Sequence, residues 1–70
     1  MEYNHVIQRA KERLNMNLTE FDCDCITKMV QDNECEYINH DWRAVRYKGR
    51  IFKVAYSKKR HQITTVLAIN

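Results

Sequence analysis

No long apolar run occurs in this sequence of 70 residues. No stretch approaches the length of a membrane-spanning helix or of the apolar region of a signal peptide, so we expect a cytoplasmic protein with no membrane partner. A chain this short forms one small domain with a modest core, and we predict a single domain over residues 1–70.

Cysteines are few, and none of them forms a C-x-x-C pair. The three thiols, Cys23, Cys25 and Cys35, cannot all close into disulfides within the chain, and a reducing compartment leaves thiols free. Cys23 and Cys25 would project about 200° apart on a helix, so they cannot bind one metal ion together. The neighbouring Asp22 and Asp24 would raise the thiol pKa values, which disfavours a catalytic cysteine.

A second set of metal ligands is available in the middle of the chain. Cys35, His40 and Asp41 offer ligand types that zinc binds, and they are close in sequence. We regard zinc binding there as the less favoured alternative. The sequence therefore predicts a protein without a metal ion or another cofactor.

Acidic residues are missing from one long part of the chain. Between Trp42 and His61 there are eight basic residues and no acidic one. Residues 1–35 carry four Lys/Arg and seven Asp/Glu, a net charge of −3, whereas residues 36–70 carry eight and two, a net charge of +6. This asymmetry predicts an anionic partner, although a lysine-rich solvated surface is the plain alternative.

Apolar residues recur at helical spacing at the start of the chain. The stripe of Tyr3, Ile7, Ala10 and Leu14, with Val6 beside it, predicts a helix over residues 3–15. The opposite side of this helix carries one basic row. Its members are His5, Arg9 and Arg13, at successive steps of four.

Capping signals predict where a second helix begins. Thr19 is suited to be its N-cap, and Asp22 completes a short capping box three residues later. Apolar residues continue at helical spacing until the helix ends near residues 31–33. Cys23 and Cys25 are therefore expected to serve as small apolar side chains.

After the second helix, the apolar pattern changes from helical to alternating. Residues 43–56 read RAVRYKGRIFKVAY, and Lys48-Gly49 between the two runs is suited to a two-residue hairpin turn. This turn pairs Val45 with Phe52. The predicted core face carries Val45, Tyr47, Phe52, Val54 and Tyr56, and the opposite face carries Trp42, Arg46 and Lys53.

The remaining segments complete an α+β fold. Residues 57–61 (SKKRH) predict a polar loop, residues 62–70 (QITTVLAIN) a final strand, and residues 36–39 a short edge strand. We predict two N-terminal helices packed on one face of a three- to four-stranded antiparallel sheet, because that arrangement buries both apolar helix faces most simply.

Three parts of the sequence resemble a known group of small proteins. They are the first helix with its row of His5, Arg9 and Arg13, the segment NLTEFD, and the run VRYKGRIFKVAYSKKRHQITTVL. In these parts the chain is similar to RelE/BrnT-like toxin-related proteins of bacteria and phages. The resemblance implies a RelE-like fold, metal-independent cleavage of RNA, RNA or the ribosome as partner, and an antitoxin.

The resemblance also implies individual site residues. The matching positions are His5 and Arg9 on the first helix, Arg50, Lys53 and Tyr56 on the hairpin, and Thr65 on the closing strand. Ala55 and Ser57 depart from the pattern, in which valine before the tyrosine and aspartate after it are commoner.

Cleavage of RNA without a metal requires a base, an acid and cations that stabilise the phosphate. Histidine suits both proton transfers because its pKa lies near neutral pH. The predicted catalytic residues are His5, His61 and Thr65. The predicted nucleic-acid-binding residues are Arg9, Arg46, Arg50, Lys53, Lys58, Lys59 and Arg60, with Trp42 as the aromatic residue most available for a contact.

The sequence thus predicts a protein that binds RNA or a ribonucleoprotein. Two alternatives stay open for this binding: it occurs without catalysis, or it is accompanied by the endoribonuclease activity that the resemblance implies. The alternative is an inhibitor encoded by a phage or mobile element, which binds a host protein without catalysis. Acidic residues of the second helix would serve that role: Glu20, Asp22, Asp24, Asp32 and Glu34.

Overall fold

The order of elements along the chain is two helices followed by four strands. The structure is a computed structural model that describes residues 3–69. The helices are α1 (Asn4–Leu14) and α2 (Glu20–Gln31), and the strands are β1 (Glu36–Tyr37), β2 (Trp42–Tyr47), β3 (Arg50–Ser57) and β4 (Gln62–Ala68). The strands form one antiparallel sheet in the order β1-β2-β3-β4. The predicted α+β fold is confirmed.

Helix α1 buries one side against the sheet. Val6, Ala10 and Leu14 are buried, whereas Ile7 is half-buried at the margin of the stripe. The predicted helix is confirmed, with Val6 rather than Ile7 at the centre of its apolar side. The helix ends at Asn15, whose φ of 53° gives the left-handed conformation that commonly ends helices.

Helix α2 begins at the predicted capping box. The Asp22 N–H donates to the Thr19 side-chain oxygen (3.1 Å), and the Thr19 N–H donates to the Asp22 carboxylate (2.9 Å). These reciprocal bonds satisfy amide groups near the helix N-terminus. Cys23 follows on the buried side with no exposed surface, so its predicted apolar role is confirmed.

The β2–β3 hairpin has the predicted register. Val45 pairs with Phe52, and the two-residue turn between the strands contains Lys48 and Gly49 with φ values of 53° and 75°. Positive φ at both central residues is the geometry of a type I′ turn, whose twist matches that of the flanking strands. The single glycine of the chain therefore lies where the turn requires a left-handed backbone.

Strand β4 carries a β-bulge in its pairing with β3. Ala55 pairs with Thr65, but Tyr56 pairs with Ile63, so Thr64 has no opposite residue. A bulge redirects side chains locally. The consequence is visible on the outer surface of the sheet, where Thr64 lines a groove.

Polar contacts join both helices to β4. The hydroxyl of Tyr3 lies 3.2 Å from Thr27 Oγ1, and the Ile63 N–H donates to the same Thr27 oxygen (3.3 Å). At the other end of α1, Arg13 Nη1 donates to the Val66 carbonyl (3.2 Å). The first helix thus lies along the outer strand and shields part of its edge.

The two faces of the sheet differ as predicted. The face toward the helices contributes Val45, Phe52, Val54, Ile63 and Val66 to the buried core, with Tyr47 and Tyr56 half-buried beside it. We call the other face the open sheet face. It consists of Trp42, Ala44, Arg46, Ile51, Lys53, Ala55, Thr65 and Leu67.

The outer strands are shorter than predicted. Strand β1 contains residues 36 and 37 rather than 36–39, because the Asn39 side chain accepts hydrogen bonds from the Asp41 and Trp42 N–H groups and turns the chain. Strand β4 ends at Ala68, and residue 70 of the predicted strand lies outside the described residues. Within residues 3–69, neither helix has the length and apolar character needed to cross a bilayer.

Candidate nucleic-acid interface

The centre of the open sheet face combines a cation with an aromatic ring. Lys53 Nζ on β3 lies 5.2 Å from the centroid of the Trp42 ring on β2, within cation–π range. Both side chains are half-buried. Trp42 and Lys53 therefore lie on the face opposite the core, as the alternation of the strands predicted.

Helix α1 adds a cation at the β4 margin of this face. Arg13 Nη1 lies 3.5 Å from the Thr65 hydroxyl, in addition to its bond to the strand backbone. Thr65 shares a cross-strand row with Ala55 and Trp42. Arg13 belongs to the basic row predicted for the helix, but it was not predicted to be a site residue. Helical spacing does not reveal which side of a helix contacts a particular strand.

A groove lies at the end of the open sheet face where β3 turns into β4. We call it the turn groove, and its volume is about 510 Å³. Strand residues line it: Trp42, Ala55, Tyr56, Ser57 and Thr64. Lys58 and Lys59 line it from the β3–β4 turn, and His40 and Asp41 line it from the segment before β2.

Local hydrogen bonds define the backbone of the basic turn. The Arg60 N–H donates to the Ser57 hydroxyl (3.1 Å), and the His61 N–H donates to the Ser57 carbonyl (2.8 Å). His61 has a φ of 57°, which completes the reversal into β4. The side chains of Lys58, Lys59 and Arg60 are exposed. The predicted polar loop thus carries its charged side chains on a hydrogen-bonded turn.

The opposite end of the open sheet face has a mixed charge. Arg46 is exposed and lines a groove of about 340 Å³ together with Glu34 and Glu36. Glu36 also shares a cross-strand row with Ala44 and Lys53. Two carboxylates therefore weaken the positive potential around Arg46. The turn groove contains one carboxylate, that of Asp41, so the positive potential of its lysines is weakened less.

A different set of charges is held at the N-terminus of α2. Asp22 is 4% exposed and accepts hydrogen bonds from Tyr47 Oη (2.7 Å) and Lys48 Nζ (3.3 Å), in addition to its bonds with Thr19. These donors, Tyr47 first, lower the pKa of Asp22 to about 2. The same contact raises the pKa of Tyr47. Asp22 therefore joins the helix cap to the hairpin and is not part of an acidic contact surface.

Several residues predicted to bind nucleic acid lie away from the open sheet face. Arg50 points to the helix side, where its Nη2 donates to the Leu14 carbonyl at the end of α1 (2.9 Å). This contact suits a cation, because the C-terminus of a helix carries partial negative charge. Arg9 is paired with Glu12 on the surface of α1 (2.9 Å).

The predicted catalytic residues lie at three separate places. His5 is exposed on α1. His61 lines a groove on the helix side with Tyr3 and with Phe21 of α2, while Thr65 lies on the open sheet face. The His61 carbonyl also accepts a bond from Gln31 Nε2 (3.1 Å). Their participation in a common reaction stays a prediction.

Tyr56, a residue implied by the resemblance, also lies on the helix side. Its hydroxyl accepts a hydrogen bond from Gln31 Nε2 (3.1 Å). The alternation of β3 places Tyr56 on the same side as Val54, opposite to Lys53. Two residues that the resemblance assigns to one hairpin site therefore face different sides of the sheet.

The cysteine environments differ from those of reactive or metal-bound thiols. Burial, together with the carboxylates of Asp22 and Asp24, raises the pKa of Cys23 to about 12. Burial also raises the pKa of Cys35, which lines the groove beside Arg46 rather than the turn groove that contains His40. Among residues 3–69, no group of three or more His, Cys, Asp and Glu side chains is arranged to hold a metal ion.

Comparisons with protein-family models, with curated proteins and with solved structures gave no match to this chain. The relationship to RelE/BrnT-like proteins therefore stays a prediction that depends on the quoted sequence segments.

Proposed function

We propose that the protein binds RNA, alone or in a ribonucleoprotein, through the open sheet face and the adjoining basic turn. The main support is that Trp42 lines one groove with the turn lysines Lys58 and Lys59 and has the ammonium of Lys53 over its ring. Cations of this kind bind backbone phosphates, and an accessible aromatic ring stacks on bases.

The pairing of charges supports the same assignment. Within residues 3–69, the ion pairs shorter than 4 Å are Arg9–Glu12 and Lys48–Asp22, and neither involves the open sheet face. A cation without an acidic partner is free to exchange its counterion for a phosphate, which is the main source of affinity in nucleic-acid binding. Lys53 is such a cation, and Arg46 on the neighbouring strand forms no ion pair with any residue that the structure describes, although Glu34 and Glu36 line the same groove.

The resemblance to RelE/BrnT-like proteins extends this proposal to an endoribonuclease toxin with an antitoxin partner. The separate positions of His5, His61 and Thr65 support binding more directly than cleavage. Inspection of the RNA after incubation with the protein tests cleavage independently of affinity.

The binding surface is tested by reversing two of its charges. We expect the variant Arg46→Glu with Lys53→Glu to lose most of its affinity for labelled single-stranded RNA in a mobility-shift titration. The slope of log affinity against log salt should become shallower by about 1.4, because each phosphate contact of a single strand contributes about 0.7. Circular dichroism checks that the variant is folded.

A matched variant distinguishes the effect of the open sheet face on RNA binding from the effect of net charge. Lys11→Glu with Lys28→Glu makes the same change in net charge on exposed positions of the two helices. We expect this variant to retain the salt slope of the original protein. Equal losses of affinity in both double variants would reject the open sheet face as the binding surface.

A second candidate function is inhibition of a host protein through α2. Phe21 is 73% exposed, and the exposed carboxylates of Glu20 and Asp24 flank it in sequence. Aromatic residues are enriched in protein interfaces, and neighbouring carboxylates repel the phosphates of RNA, so this surface suits a protein partner better than RNA. A stoichiometric complex with one host protein that survives nuclease treatment would favour this function.

A further inference from the structure

The turn groove is large enough to hold one nucleotide. Its volume of about 510 Å³ lies within the roughly 300–1,000 Å³ range of sites for small ligands. The small side chains of Ala55, Ser57 and Thr64 leave room above the strands, and the bulge directs Thr64 into the groove. The indole of Trp42 stands at the side of this space.

The charged residues that line the groove favour one orientation of a bound nucleotide. Lys58 and Lys59 line the groove from the β3–β4 turn, whereas Asp41 and His40 line it from the segment before β2. A phosphate is attracted to the lysines and repelled by the carboxylate, so it binds toward the β3–β4 turn. The uncharged base is then directed toward Trp42.

Lys53 determines which part of the Trp42 ring a base can contact. Its ammonium lies over one face of the Trp42 ring, 5.2 Å from the centroid, so the part of the ring that lines the turn groove is the part left for a base. Tyr37 is more exposed and also has a cation over its ring, but it does not line the turn groove.

We propose that the turn groove binds one unpaired nucleotide of a single-stranded RNA, with the base against Trp42 and its phosphate on Lys58 and Lys59. This inference rests on the proposed function and makes it more specific. The bases of a duplex are stacked within the helix and cannot reach a ring at the side of a groove. The protein should therefore discriminate single-stranded from double-stranded RNA.

The single tryptophan of the chain provides a direct test. We expect titration with a short single-stranded oligo(A) to quench the fluorescence of Trp42 in parallel with binding measured by anisotropy. An RNA hairpin of similar length should bind more weakly and leave the fluorescence nearly unchanged. Trp42→Ala should weaken oligo(A) binding roughly tenfold or more, whereas Trp42→Phe should retain most of the affinity.

Tyr37→Ala is the matched control, because it removes a more exposed aromatic ring from outside the groove. We expect its affinity to equal that of the original protein. If oligo(A) binds in a manner that requires Arg46 and Lys53, but Trp42 fluorescence does not change or the hairpin binds equally well, the nucleotide site is rejected and the proposed function stands. If no RNA binds, both proposals fail.

Discussion

Two groups of charged side chains differ in whether they have partners within the protein. At the N-terminus of α2, the carboxylate of Asp22 is buried and contacts Thr19, Tyr47 and Lys48. At the turn groove, Lys58 and Lys59 are exposed, and no ion pair within residues 3–69 engages them. One group joins elements of the fold, and the other is available to a partner.

This difference shows that charge alone does not identify a functional residue. Lys48 and Lys59 are both lysines in turns of the same sheet, yet Lys48 is 3.3 Å from a buried carboxylate and Lys59 lines an open groove. A cation that is satisfied by its own protein contributes to folding. A cation without such a partner contributes to binding when an anion arrives.

The largest effect is expected from removing the buried carboxylate. Asp22→Ala should lower the free energy of unfolding by about 2–3 kcal/mol, because it removes the carboxylate half of the capping box, which accepts from the Thr19 N–H, and leaves the Tyr47 hydroxyl without its acceptor. Urea denaturation measures this change. Asp24→Ala is the control on the exposed side of the same helix and should change stability by less than about 0.5 kcal/mol. Equal effects would show that the contacts of Asp22 do not stabilise the fold.

A smaller effect is expected from protonating Asp22. Its folded pKa of about 2 lies below the ordinary value of 3.8, so the unfolded chain binds a proton more readily than the folded chain between these values. The stability supplied by Asp22 is therefore present above about pH 4 and lost as the pH falls toward 2, by at most about 1.4 kcal/mol per pH unit.

Denaturation measured across this pH range checks the acid effect. Asp22→Asn removes the titrating group while keeping a side chain of similar shape, so this variant should show a shallower decline in stability below pH 4. An unchanged slope would mean that other carboxylates cause the acid sensitivity.

The smallest effects are expected from substitutions of lysine, which compare the exposed Lys58 and Lys59 with Lys48, the partner of Asp22. Lys58→Ala with Lys59→Ala should weaken binding of single-stranded RNA roughly tenfold at low salt and leave the free energy of unfolding unchanged. Lys48→Ala should leave RNA affinity unchanged and lower stability by less than about 1 kcal/mol, because its ammonium is half exposed. Anisotropy titrations and urea denaturation of the same preparations check both. Loss of RNA affinity in Lys48→Ala alone would contradict the distinction.

Several parts of the fold could be predicted because their causes are local. Thr19 and Asp22 are three residues apart and form a capping box through their own backbone and side chains. The hairpin register follows from the two-residue turn at Lys48 and Gly49. Once that turn is known, the period of two decides which strand residues face the core.

The candidate site was predicted where it lies on the β2–β3 hairpin and on the turn that carries Lys58 and Lys59. Arg46, Lys53 and Trp42 were placed on the correct face by strand alternation. Arg13 was missed and Arg50 was assigned to binding, because their contacts with β4 and with the end of α1 depend on how the first helix lies against the sheet. Helical periodicity indicates which side of α1 is apolar, but it contains no information about the strand that this side meets.

The sequence by itself determined the elements, the turn and the two faces of the hairpin, since interactions between near neighbours in the chain decide these features. Only the tertiary structure decided that Asp22 is buried beside Tyr47, that Lys58 and Lys59 share a groove with Trp42, and that His5 and His61 lie apart. Such relations join residues from separate elements. They depend on the rotation and position of whole helices, which the summed packing of the core determines.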